Sequence, residues 1–106
     1  EEPLRAGMIL SNEPGYYKPG HFGIRIENLI LTVAKEVPGA EQPMLGFETI
    51  TFAPLDHALI DLELLTGAEQ RWVDAYHAAV LEKIGPGLSG EDRRWLEAAC
   101  RPLGTA

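Results

Sequence analysis

The sequence predicts an α+β fold, antiparallel strands followed by two C-terminal helices, on three observations. Short apolar runs rich in branched residues and bounded by Gly and Pro occupy the first half, as strands joined by turns require. Apolar residues recur at three- and four-residue intervals in the second half, as on one face of a helix. Pro54 closes the last strand because it cannot donate to a ladder. Residues 1–55 are therefore read as a strand-rich part and residues 56–106 as a helical extension.

The first strand is Met8-Ile9-Leu10 and the second runs from Ile24 to Val33, joined by the turn-rich Pro14-Gly15-Tyr16-Tyr17-Lys18-Pro19-Gly20. The pair is expected to be antiparallel. The second strand is apolar at both parities, with Ile24, Ile26 and Ile30 on one side and Leu29, Leu31 and Val33 on the other, which predicts cover on both faces. A loop with Pro38, Gly39 and Pro43 leads to a third strand, Leu45 to Ala53. Asp56 and Asp61 read as turn residues bonding nearby amides, because Asp56-His57 and Asp61 fit no metal-ligand spacing. Thr66-Gly67-Ala68-Glu69 is a capping box that opens the first helix. Trp72, Val73, Tyr76, Val80 and Ile84 form its apolar stripe, and Gly85-Pro86 stops it. His77 is expected on the helix surface or flank. Ser89-Gly90-Glu91-Asp92 opens the second helix, whose apolar side is Trp95, Leu96 and Ala99.

Two acids sit inside the apolar runs. A hairpin centred near Gly20 puts Glu13 opposite Glu27, with side chains roughly 5 Å apart on one face. Two buried, opposed carboxylates must share a proton or bind a cation, because leaving both charged and unpaired costs several kcal/mol. Arg25 shares their parity, but one monovalent group about 6–7 Å along the strand cannot satisfy four carboxylate oxygens. A divalent metal is the better neutraliser. The bland alternative is a pair of solvated strand acids. His21, in the hairpin tip, is read as an exposed turn residue rather than a third ligand, and Glu48 as a solvated acid. Tyr16 and Tyr17 either line a pocket or pack the turn.

Composition narrows the partners. Sixteen acids against nine bases give a net charge of −7, which disfavours nucleic acid and anionic membranes, and no run reaches the ~18 apolar residues of a span. The single Cys100 excludes an internal disulfide and a thiolate zinc cluster, and fits a reducing, cytoplasmic location. With no initiator Met and a strand beginning by Gly7, the chain reads as the end of something longer.

Asn12-Glu13-Pro14-Gly15-Tyr16-Tyr17 and Phe22-Gly23-Ile24-Arg25-Ile26-Glu27-Asn28 together resemble the C-terminal part of the metal centre in Xaa-Pro aminopeptidases of the aminopeptidase P type, pita-bread metallopeptidases of family M24. The resemblance continues through Leu45-Gly46-Phe47-Glu48, Leu55-Asp56 and the helix of Trp72, Tyr76 and His77. It implies that Glu13 ligates one metal and takes part in proton transfer, that Glu27 bridges both metals, and that Arg25 supports the acidic site. It implies two divalent ions, manganese foremost with cobalt or zinc possible, peptide substrates with proline in second position, and a homodimer built through the C-terminal region. The family's two aspartates and its metal histidine lie upstream of these strands, so this chain alone is expected to be inactive. A non-catalytic structural or dimerisation module is the alternative, and a metal-free creatinase-type relative fits less well because both carboxylates remain.

Overall fold

Pro19-Gly20 and Pro38-Gly39 make two of the turns that shape the first half. His21 N–H donates to Lys18 O at 3.0 Å and Ala40 N–H to Val37 O at 3.0 Å. Gly20 and Gly39 take φ of 76° and 80° in the third positions, where a type II turn needs a left-handed residue. The computed structural model describes residues 2–104, which fall into two units divided between Thr51 and Phe52.

In the first unit, β1 (Ile9–Asn12), β4 (Asn28–Lys35) and β5 (Met44–Thr49) form an antiparallel sheet with β4 in the centre, while β2 (Gly15–Lys18) and β3 (Phe22–Arg25) pair separately. The expected hairpin is present, with its centre at Gly20, but the stretch expected as a turn is mostly strand and the ladder is interrupted. The cause is Pro14. Its carbonyl accepts from Ile26 N–H at 3.1 Å, but it has no N–H to return, so this rung keeps one of its two bonds. The third strand ends at Thr49, short of the expected Ala53. Ile50 N–H still reaches Leu29 O at 3.0 Å, but Leu29 N–H is taken at 2.8 Å by the Thr51 hydroxyl, which ends the regular ladder.

The expectation that β3 and β4 are covered on both faces fails within this chain. Ile24, Ile26 and Leu29 are exposed, and Thr32 is buried. The described residues of this unit form strands and loops without a helix, so no second layer covers them.

The second unit begins with two short 3-10 turns, His57–Leu59 and Leu62–Leu64. Asp56 and Asp61 cap them, accepting from Ala58 N–H at 2.9 Å and Glu63 N–H at 3.0 Å. Helix α1 (Gly67–Ile84) opens on the expected capping box, with Thr66 and Glu69 exchanging bonds of 2.8 and 3.1 Å. After the turn Gly85–Gly87, α2 (Gly90–Ala99) begins at the expected point. Tyr76, Val80, Leu96 and Cys100 form the core, with Phe52, Leu55, Leu81 and Leu88 packed around it.

The stripe on α1 is displaced from the expected one. Trp72 and Ile84 are exposed, and His77, expected at the surface, is fully buried. The segment at Ala53–Leu55 makes the difference. The Tyr76 hydroxyl accepts from Ala53 N–H at 3.1 Å and donates to Ala53 O at 2.8 Å, while His77 Nε2 accepts from Leu55 N–H at 2.9 Å. Two consecutive side chains thus hold one strap of backbone.

Accepting that bond requires a neutral imidazole. Burial and then the neighbouring His57 ring, 5.1 Å away, hold the His77 pKa below its ordinary value, against an opposing pull from Asp74. The unfolded chain therefore takes up this proton first, and the stability contribution present above the unfolded value near 6.5 is lost as pH falls from there through the lowered folded value. Urea midpoints should drop on going from about pH 7.5 to about pH 5.5, and His77→Gln, which keeps an acceptor without titrating there, should reduce the drop. An undiminished drop in that variant assigns the effect to other groups.

Candidate metal centre

The two ladders share one register. Asn12 faces Asn28 in the first and Gly15 faces Arg25 in the second, and extending either one brings Glu13 opposite Glu27. The bonded rungs at Met8–Thr32 and Pro14–Ile26 make Glu13–Glu27 a non-hydrogen-bonded pair, the type whose Cα atoms approach to about 4.5 Å with the side chains closest together. The pair lies at the proline-induced break.

Gly15 and Tyr17 follow Glu13 on this face, and Gly23 and Arg25 precede Glu27. Arg25 Nε stands 3.1 Å from Glu27 Oε2. Its guanidinium pKa is raised by a hydrogen bond with the Tyr17 side chain, then by Glu27, and less by Glu13. The Arg25 and Glu27 side chains are 52% and 42% exposed, so solvent screens the pair and its worth is chiefly positional. The sequence gives Tyr17 a pocket-lining or turn-packing place; the signal of its position on this face is the parity it shares with Gly15 and Gly23.

Exposure corrects one premise. Glu13 and Glu27 are both exposed in this chain, so the repulsion of a buried pair is not the force that demands a cation here. The donor chemistry does fit one. Two opposed carboxylates offer the oxygen ligands that hard divalent ions take. They do not complete a set, since no group of three or more His, Cys, Asp or Glu that could hold a metal occurs among the described residues.

The remaining candidates lie apart from this pair. His21 is exposed in the hairpin turn and Glu48 is exposed on β5 opposite Leu31. His57 and His77 lie side by side in the second unit, their rings tilted by 35°. Burial pushes the Cys100 thiol up, which keeps it protonated and unsuited to metal binding at neutral pH.

Residues 43–103 match the family model for the C-terminal region of peptidase M24, and residues 1–34 match that of metallopeptidase family M24. A probable Xaa-Pro aminopeptidase P of Laccaria bicolor is 45% identical over 105 residues, covering 95% of this chain and 16% of the relative. One from Arthroderma benhamiae is 47% identical over 109 residues, covering 97% and 15%. The crystal structure of an X-prolyl aminopeptidase from Caenorhabditis elegans, described as a cytosolic enzyme with a di-nuclear active site, superposes with a TM-score of 0.79 at 36% identity, covering 94% of this chain and 17% of that one. The chain thus spans about a sixth of the length of these relatives.

Proposed function

The chain belongs to metallopeptidase family M24, and from that premise we propose that it is the C-terminal part of the pita-bread catalytic domain of a dimetal aminopeptidase that hydrolyses the N-terminal Xaa-Pro bond. The observation that carries the reading is the shared register that sets Glu13 against Glu27, with Arg25 paired to Glu27 on the same face. In this reading residues 1–55 carry the two glutamates and residues 56–106 are a helical extension. The Xaa-Pro relatives support the substrate class, and the di-nuclear neighbour supports two metal ions.

Glu27 would hold both ions and Glu13 would hold one. When bound, two divalent ions supply an activated water and polarise the scissile carbonyl. Glu13, at the strand end before Pro14, is placed in the reading to move a proton to the leaving amine. Arg25 keeps Glu27 oriented by charge and hydrogen bonding. All-oxygen donors in this chain suit manganese, with cobalt or zinc as substitutes. We assign the enzyme to the cytoplasm, as its neighbour is described, and note that no helix among the described residues is long and apolar enough to cross a membrane. Subunit contact is assigned to the helical extension, where Trp95 is 64% and Leu64 80% exposed.

Two carboxylates alone make an incomplete site, so the isolated 106-residue chain should be inactive and bind Mn²⁺ weakly. The longer protein should cleave a peptide with proline second, far faster than its alanine counterpart, and lose that activity to a chelator. Rapid cleavage by the isolated chain, or chelator-insensitive cleavage by the longer one, would refute the assignment. A native product no longer than this chain would favour the dimerisation-module reading.

A further inference from the structure

Glycine weakens a strand interior, yet two of the six residues on the face that carries Glu13 and Glu27 are Gly15 and Gly23. Neither needs glycine for its backbone, since both lie in regular strands and neither has a positive φ. What they provide is space. A Cβ on Gly15 would come 2.7 Å from the Tyr17 hydroxyl oxygen and 2.9 Å from Cε2 and Cζ, and a Cβ on Gly23 would come 2.7 Å from Tyr17 Cδ1. The ring therefore lies along the sheet surface, its root over Gly23 and its hydroxyl end over Gly15. Arg25 is the cross-strand partner of Gly15, so the hydroxyl end of the ring is delivered to the strand position beside the guanidinium. Tyr17 is otherwise 61% exposed, and the flat glycine floor is what lets its ring lie down rather than stand into solvent.

We propose that Gly15 and Gly23 are positioning residues, forming a side-chain-free bed on which the Tyr17 ring lies so that its hydroxyl sets Arg25 against Glu27. Alanine at either position fits the extended backbone but displaces the ring, because the contacts fall below any tolerated separation. Tyr17 can yield by swinging outwards. The strand survives and the link to Arg25 is lost. The consequence for catalysis rests on the reading of Glu27 as a metal ligand; the bed itself does not.

Two measurements test it. In proton NMR of the 106-residue chain, the α-protons of Gly15 and Gly23 should be shifted upfield by the ring above them and return to ordinary positions in Tyr17→Leu. In the longer enzyme, Gly15→Ala and Gly23→Ala should each lower kcat about 10- to 100-fold, the usual cost of disturbing the partner of a metal ligand, with KM little changed. In a Tyr17→Phe background the same alanines should cost almost nothing more, since the bond they break is already gone. Unshifted α-protons, or losses that add fully to that of Tyr17→Phe, overturn the proposal. If the longer wild-type protein does not cleave Xaa-Pro peptides, the functional reading falls, while the glycine shifts still decide the bed.

Discussion

On the proposed Xaa-Pro reading, Glu27→Gln in a chain that includes the rest of the catalytic domain is expected to lower hydrolysis on the order of 10³-fold, the equivalent of the several kcal/mol of charge stabilisation that a metal site contributes. Glutamine keeps the size of the side chain and its place opposite Glu13, but removes the negative charge and one strong acceptor. It also leaves Arg25 facing a neutral amide across the 3.1 Å contact seen with Glu27. Manganese affinity, measured by calorimetry, should fall with the activity, while far-UV circular dichroism should not change because the position lies in the gap between β1 and β2's ladders. Arg25→Ala should cost less, since Arg25 acts through Glu27. Activity within tenfold of wild type in Glu27→Gln would remove Glu27 from the metal site.

Leu96→Ala is expected to destabilise the second unit by about 3 kcal/mol, within the range for deleting a buried leucine side chain. Leu96 is 3% exposed and is the buried residue by which α2 joins the core, with Cys100 just beyond the helix end. At roughly 0.1 kcal/mol per residue, a unit of this size has a stability of about 5 kcal/mol, so the loss is a large share of it. Trp95→Ala, at an exposed neighbour, should stay within about 0.5 kcal/mol. Urea unfolding of the three chains, at a concentration low enough to keep them monomeric, makes the comparison. A larger loss from Trp95→Ala would reverse the assignment of the two faces of α2.

In α2 the local pattern does not decide which side chain turns inwards. A tryptophan on a short helix is expected in its own core, yet here the smaller Leu96 turns inwards and Trp95 outwards. Trp72 and His77 exchange expected places in the same way. The periodicity places the stripe on α1 to within a residue or so, but its centre depends on the Ala53–Leu55 strap, which lies more than twenty residues away and offers an N–H that His77 accepts. No local signal announces such a partner.

Local hydrogen-bond chemistry was determined by the sequence itself. The Pro-Gly turn centred the hairpin on Gly20 and so set Glu13 against Glu27; the Asp caps and the Thr66–Glu69 box followed from donors and acceptors two or three residues apart. Even the break at Pro14 follows from its missing N–H once the register is known. Burial was decided only in three dimensions, because it depends on which surfaces meet. The apolar residues of β3 and β4 remain open where no layer within their unit covers them, and His77 is enclosed because a distant strap lies across it.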